Sequence, residues 1–382
     1  MARAPTLKDT EAPPEADRLD GAAHPRETTT LFGHGAAEAT LAQSFAGGRM
    51  HHGWLLSGRE GIGKATLAYR FARYALATPA QRDPSNRSLD IPPASTAARQ
   101  VLALSHPGLL VIRRPWDAKN KRHTTSIPVD EVRRIKPFLA HTAEPGAHRV
   151  VIVDSADELN ANAANALLKS LEEPPPATTF LLVTSEPGRL LPTIRSRCRM
   201  LDLAPLDEAD LRRATLKAFE TIDRDAPGPG EWPRLMALAE GSVRRLLVLW
   251  LGNGLDLAER IDKLLATLPR LDWGAVHALG DELGSVASAE RFETFYDLLL
   301  QYLARMVRAR ARGLDSGREA ALAARLIPEA SLATWADLWE TVVREKSVAM
   351  ALNLDRKSLI LDTFSRIEQA ARGVEPRPGS AT

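Results

Sequence analysis

A single cysteine, Cys198, stands among the 382 residues. That count excludes an intrachain disulfide and any zinc or iron–sulfur centre built from several thiolates. Aromatic residues are scarce, at 5%, and no apolar run approaches the roughly 18 residues of a membrane-spanning helix. An excess of either charge is missing as well. Fifty basic residues face 48 acidic ones for a net charge of +2, so contact with nucleic acid would need a local patch and not the whole body. The opening MARAPTLKDTEAPPEAD carries acids and prolines where a secretory signal has an apolar stretch. Together with the lone thiol, this predicts a cytoplasmic protein.

What is present is ordinary globular material, 44% hydrophobic and 26% charged. The length predicts two or three domains of about 150 residues each. Residues 1–28 are rich in Ala, Pro, Glu, Asp and Thr, too poor in large apolar groups to offset ordering entropy, and read as a disordered leader. Residues 373–382 (GVEPRPGSAT) read as a second loose tail. Between 29 and 205, short apolar runs alternate with helical segments, the pattern of an α/β domain with a parallel sheet flanked by helices. Its predicted strands are Trp54–Leu56, Val150–Val153 and Phe180–Val183, the last two continuous apolar runs as suits strands covered on both faces. Residues 78–100 read as an irregular insertion, and the stretch 78–105 holds no cysteine.

Past Pro205 the strands stop. Asp207 is placed to cap a helix from Glu208, and the DAPGPG segment at 225–230 interrupts a small helical domain spanning 206–268. Residues 269–372 read as all-helical. Phe292, Phe295, Tyr296, Leu299, Leu303, Met306 and Val307 recur at three- and four-residue steps, as do Trp335, Leu338, Trp339 and Val342, and Leu359, Thr363, Phe364 and Ile367. These stripes read as the core of a bundle.

Gly58-Arg59-Glu60-Gly61-Ile62-Gly63-Lys64 follows the first strand and opens the predicted helix Ala65–Ala77. This is Walker A spacing in its required context. Glycines let backbone amides converge on phosphate oxygens, the helix N-terminus adds positive potential, and the lysine reaches the β/γ phosphates. The next residue should carry the hydroxyl that holds Mg²⁺, but it is Ala65, and Thr66 comes one residue late. One residue is about 100° around a helix, which turns Thr66 away from the metal position. The strand 150–153 ends at Asp154, the Walker B position, and Ser155 stands where a hydrolytic site has its water-activating glutamate. Asp157 and Glu158 are either a displaced acidic pair or, more simply, the polar start of the following helix. Gly58, Gly61, Gly63, Lys64, Thr66 and Asp154 thus form a degenerate nucleotide site: fit to hold ATP or ADP, impaired for metal-assisted hydrolysis.

Arg113, Arg114, Lys119, Lys121, Arg122, Arg133, Arg134 and Lys136 make a basic stretch. It is either a solvated surface or a phosphate contact to DNA. Trp116 and Phe138 are too far apart in sequence to pair as a base-stacking platform. Cys198 has no histidine-based dyad around it and reads as a small buried residue.

The stretch VVIVDSADELNANAANALLKSLEEPPPATTFLLVTSEPGRLLPTIRSRC at 150–198 resembles the bacterial AAA+ clamp-loader subunits of DNA polymerase III. LFGH at 31–34, RMHH at 49–52, IPVDEV at 127–132 and GSVR at 241–244 extend the likeness over most of residues 30–250. The resemblance implies a P-loop AAA+ domain, a lid at 206–268 and a collar at 269–372. It implies that Arg197 of Ser196-Arg197-Cys198 is an arginine finger acting in trans on a neighbour's ATP, although Arg195 and Arg199 flank it as ordinary surface arginines would. It also implies phosphate sensors at Thr184 and Arg244. The implied partners are gamma/tau-type motor ATPases and delta in a hetero-oligomer, with the sliding clamp and primed DNA met through the complex and no membrane involved. Relatives often carry a four-cysteine zinc module after the first helix; this chain has none there, so no zinc is expected. Two readings follow. One is a non-hydrolysing stator; the other is an active motor ATPase of the same assembly, against which Ala65, Ser155 and the missing cysteines speak. An unrelated P-loop enzyme such as a kinase fits the LLKSLEEPP and SRC segments poorly.

Overall fold

The apolar runs become adjacent strands of one parallel sheet. The computed structural model of the chain describes residues 14–140, 147–222, 224–313, 318–352 and 354–373. Its strands are β1 (Gly53–Ser57), β2 (Leu109–Ile112), the short ribbon β3 (Trp116–Asp117) and β4 (Arg122–His123), then β5 (Arg149–Val153), β6 (Thr178–Thr184) and β7 (Arg199–Asp202). Five of them form the sheet in the order β2-β5-β6-β1-β7, with every pairing parallel. Three of these strands were expected. β2 and β7 were not.

Side chains alternate between the two faces, as a period of two demands. Trp54, Leu56, Val150, Ile152, Leu181 and Val183 point to one core, and Leu55, Val151, Val153, Phe180 and Leu182 to the other. The first face is covered by α1 (Gly35–Ala46), α2 (Lys64–Leu76) and α3 (Thr96–Leu102). The second is covered by α4 (Val129–Arg133), α5 (Ile135–Ala140), α6 (Ala161–Glu172) and α7 (Pro192–Arg195). Local signals set the helix ends. Asn160 accepts the amide of Ala163 at 2.8 Å to start α6, and the prolines at 174–176 prevent its continuation. Asp207 caps α8 (Glu208–Phe219) by accepting the amide of Asp210 at 2.8 Å.

The remaining helices are α9 (Trp232–Ala239), α10 (Val243–Leu251), α11 (Gly254–Thr267), α12 (Trp273–Leu283), α13 (Ala289–Ala311), α14 (Arg318–Leu326), α15 (Leu332–Leu352) and α16 (Arg356–Ala371). The chain packs as two compact units. One runs to Trp232 and takes in Ala239–Leu246; the other holds Pro233–Leu238 and everything from Leu247. This division falls inside the expected lid, not at 205/206 or 268/269. The start of α10 goes with the first unit because the amides of Val243 and Arg244 donate to Gly61 O at 3.0 and 3.3 Å. In the second unit, Phe292, Phe295, Tyr296, Leu299, Leu303 and Met306 of α13 are buried together with Trp335, Val342, Phe364 and Ile367. The Tyr296 hydroxyl meets Thr363 Oγ1 at 3.0 Å. The expected stripes are that core.

One expectation fails. Within the predicted disordered leader, residues 14–28 hold a defined arrangement. Asp17 meets His24 Nε2 at 2.8 Å and Arg113 at 2.7 Å, and Glu15 meets Arg26 and Arg113, each at 2.6 Å. Arg73 of α2 donates to Arg26 O and Thr28 O at 2.9 Å each. His24 is fully buried, edge-on to Tyr69 with ring centroids 5.6 Å apart. Charge pairing does here what apolar burial could not. Residues 1–13, like the tail at 374–382, lie outside the described residues.

Candidate functional site

The loop after β1 takes a left-handed backbone at each of its three glycines. Gly58, Gly61 and Gly63 have φ of 138°, 75° and 110°, values that L side chains rarely tolerate. Packing excludes a side chain too: a Cβ on Gly61 would lie 2.3 Å from Arg244 Cβ, and one on Gly58 would lie 2.4 Å from Leu203 O. The LFGH segment closes over the same loop. His34 Nε2 meets Ile62 O at 2.8 Å, and a Cβ on Gly63 would lie 2.8 Å from Leu31 Cδ1.

Lys64, at the head of α2, is buried and turns its ammonium onto Gly58 O (2.6 Å), Arg59 O and Ser185 Oγ (3.0 Å). Burial pulls it down to about 8. Asp154, at the end of β5, is buried, and burial with the nearby Asp17 carboxylate pushes it up to about 7. Ser155 takes a left-handed backbone (φ 55°) and donates its amide to Asp154 Oδ1 at 3.1 Å. Asp157 accepts the amide of Ser185 at 3.2 Å, and Glu158 pairs with Arg114 at 2.8 Å. Both acids serve the loop's architecture. Thr66 lies half-buried on α2.

Thr184, the expected sensor, and its neighbour Ser185 stand at the end of β6 in different surroundings. Thr184 is fully buried and accepts the amide of Glu186 at 3.2 Å, a local turn. Ser185 is the residue that meets Lys64. Arg244 sits over the loop, its Nε 3.0 Å from Glu60 Oε1, while Ser242 Oγ donates to Glu60 O at 2.7 Å. Gly58, Gly61, Gly63, Lys64, Asp154, Ser185 and Arg244 therefore gather at the carboxyl end of the sheet.

Arg197 does not join them. It follows α7, and its carbonyl oxygen lies 3.1 Å from where a Cβ on Gly53 would stand. Gly53 begins β1 and the phosphate loop follows its end, so the two are separated by the strand's length, about 13 Å at roughly 3.3 Å per residue. The guanidinium is partly exposed and directed onto Glu172 Oε1 (2.8 Å) and Thr193 O (3.1 Å). No local pattern announces the Glu172 contact, which joins two segments 25 positions apart through tertiary packing alone. Cys198 packs toward Gly53, and burial pushes its thiol up to about 12, which favours the protonated form.

The basic stretch is largely self-compensated. Arg113 pairs with Glu15 and Asp17, Arg114 with Glu158, Arg133 with Asp130 and Arg134 with Glu131. Lys119, Lys121 and Arg122, around the ribbon, and Lys136 are exposed. Among the described residues, no group of three or more His, Cys, Asp or Glu is arranged to hold a metal ion, and no helix is long and apolar enough to cross a membrane.

A parallel sheet bearing a glycine loop and lysine after β1, an aspartate closing β5 and an arginine-bearing helix over the loop define a P-loop domain of the AAA+ class. The family described as "DNA polymerase III, delta subunit" matches residues 33–207. Subunit delta' of DNA polymerase III from Escherichia coli is 33% identical over 331 residues, 86% of this chain and 92% of that one. Its counterpart from Pseudomonas aeruginosa is 42% identical over 199 residues, 51% of this chain and 55% of that one. Escherichia coli subunit tau is 28% identical over 255 residues, 64% of this chain and 36% of that one. The chain belongs to the delta-prime family of DNA polymerase III subunits.

Proposed function

We propose that this chain is a non-hydrolysing stator of a DNA polymerase III clamp loader, helping to load the sliding clamp on primed DNA. Its role in ATP turnover is to supply Arg197 to the nucleotide of a neighbouring gamma/tau-type motor subunit, in a hetero-oligomer that also contains delta. The observation that carries this is the position of Arg197. It is partly exposed, at the amino end of β1, a strand's length from its own phosphate loop. A guanidinium so far from its own loop suits a phosphate held by another chain, where it would stabilise charge on the transferring γ-phosphoryl.

The chain's own loop fits a nucleotide better than it fits catalysis. Its glycine conformations and Lys64 suit phosphate, and Arg244 stands over it. Ala65 offers no hydroxyl to Mg²⁺, and Ser155 no base to water. ATP or ADP bound there would act as a structural ligand. Among the sensors, Ser185 is better placed than Thr184. Residues 206–268 and 269–372 would serve as lid and collar, and the exposed Lys119, Lys121, Arg122 and Lys136 are the charges left for DNA. Steady-state assays of the purified chain, alone and within the reconstituted loader, test the reading. The chain alone should turn over ATP at background rate; robust turnover by the isolated chain would contradict it.

A further inference from the structure

An arginine that acts across an interface must be held in place before the neighbour's nucleotide arrives, because a free arginine loses much of its side-chain entropy on engagement. Two elements hold Arg197. In the four-residue α7, Pro192 O, Ile194 O and Arg195 O accept backbone amides, and Thr193 O takes Arg197 Nη1 at 3.1 Å. The second hold comes from a different helix: Glu172, the last residue of α6, takes Nη2 at 2.8 Å. Glu172 is itself fixed. Its neighbour Leu171 and Ile194 of α7 are buried in the same core, and the prolines at 174–176 turn the chain away immediately afterwards. One of the guanidinium's five donors is thus hydrogen-bonded and a second nitrogen lies against the Glu172 carboxylate, and the rest remain for an oxyanion.

We infer that Glu172 is the positioning residue of Arg197, and this rests on the trans-acting role proposed above. Glu172 touches no nucleotide. It presets the guanidinium so that its remaining donors face outward as a rigid fork. Since both side chains are half-exposed, the pair adds little to fold stability, and its effect belongs to the rate.

The test is the ATPase of a clamp loader reconstituted with the full-length chain, clamp and primed DNA. The variants are Glu172→Ala, Glu172→Gln, Glu172→Lys, Arg197→Ala and the Glu172→Ala/Arg197→Ala double. Glu172→Ala should lower kcat about three- to tenfold at unchanged KM for ATP, the scale of one immobilised side chain. Glu172→Gln, which still accepts a hydrogen bond, should recover more than half of the loss, and Glu172→Lys should fall to the level of Arg197→Ala. The double variant should be no slower than Arg197→Ala alone. Unchanged or raised kcat in Glu172→Ala, beside a depressed Arg197→Ala, would overturn the positioning role and leave the finger standing. A raised KM or failed assembly in Glu172→Gln would assign Glu172 to structure instead. Full activity of Arg197→Ala would remove both.

Discussion

Ala65 and Ser155 act on different parts of the same reaction. Ala65 lacks the oxygen that would hold the metal, and Ser155 lacks the carboxylate that would orient water. Repairing one should therefore separate binding from turnover. Ala65→Thr is expected to tighten the purified chain's affinity for nucleotide about three- to tenfold in the presence of Mg²⁺, the value of one recovered polar contact, and not in its absence. Titration with a fluorescent nucleotide checks this. Turnover should stay at background, since Ser155 still activates no water, and a gain in turnover from Ala65→Thr alone would show that the loop is not degenerate. Ser155 also explains why a glutamate there is no simple repair. Its backbone is left-handed (φ 55°), so a side chain there leaves the strand end in a direction set by the turn and not by β5.

Among the elements, the segment 14–28 departs furthest from expectation, and its stability is electrostatic. Asp17 is buried against His24 and Arg113; burial opposes its charge, but its His24 and Arg113 partners win and hold it down to about 2. A carboxylate whose folded value is depressed stabilises the fold above its unfolded value, near 4, and loses that contribution as pH falls through its folded value. Asp17→Asn should therefore cost about 2 kcal/mol at neutral pH, and its deficit relative to the parent should shrink as pH falls from about 4 toward 2. Denaturant melts across that range measure it; a deficit independent of pH would assign the loss to shape and not to charge. This segment also marks where the sequence stops being legible. β5 and β6 can be read because continuous apolar runs announce strands covered on both faces. β2 carried the same signal in Leu109-Leu110-Val111-Ile112 and was there to be found. β7 could not be found that way, because an edge strand with Arg199, Met200 and Asp202 exposed has no apolar run. The order of 14–28 comes from Arg73 and Arg113, both distant in sequence, and no composition rule sees such pairs.

At the scale of the molecule, the first unit carries two chemistries at opposite ends of one sheet: phosphate loop and Lys64 at the carboxyl end, Arg197 and Glu172 at the amino end. The motifs were readable as strings because their residues are contiguous. Their separation was not, since it follows from how α6 and α7 pack on β1. That separation puts Arg197 a strand's length from its own loop, which is what the proposed action on another chain requires. The direct measurement is DNA-stimulated ATP turnover of the reconstituted loader with Arg197→Ala in this chain and every motor subunit intact. The account predicts intact assembly with kcat reduced at least tenfold, a threshold set well below the roughly thousandfold or more that a trans-acting arginine contributes to the site it serves. An assembled complex that hydrolyses ATP at the parent rate would contradict it.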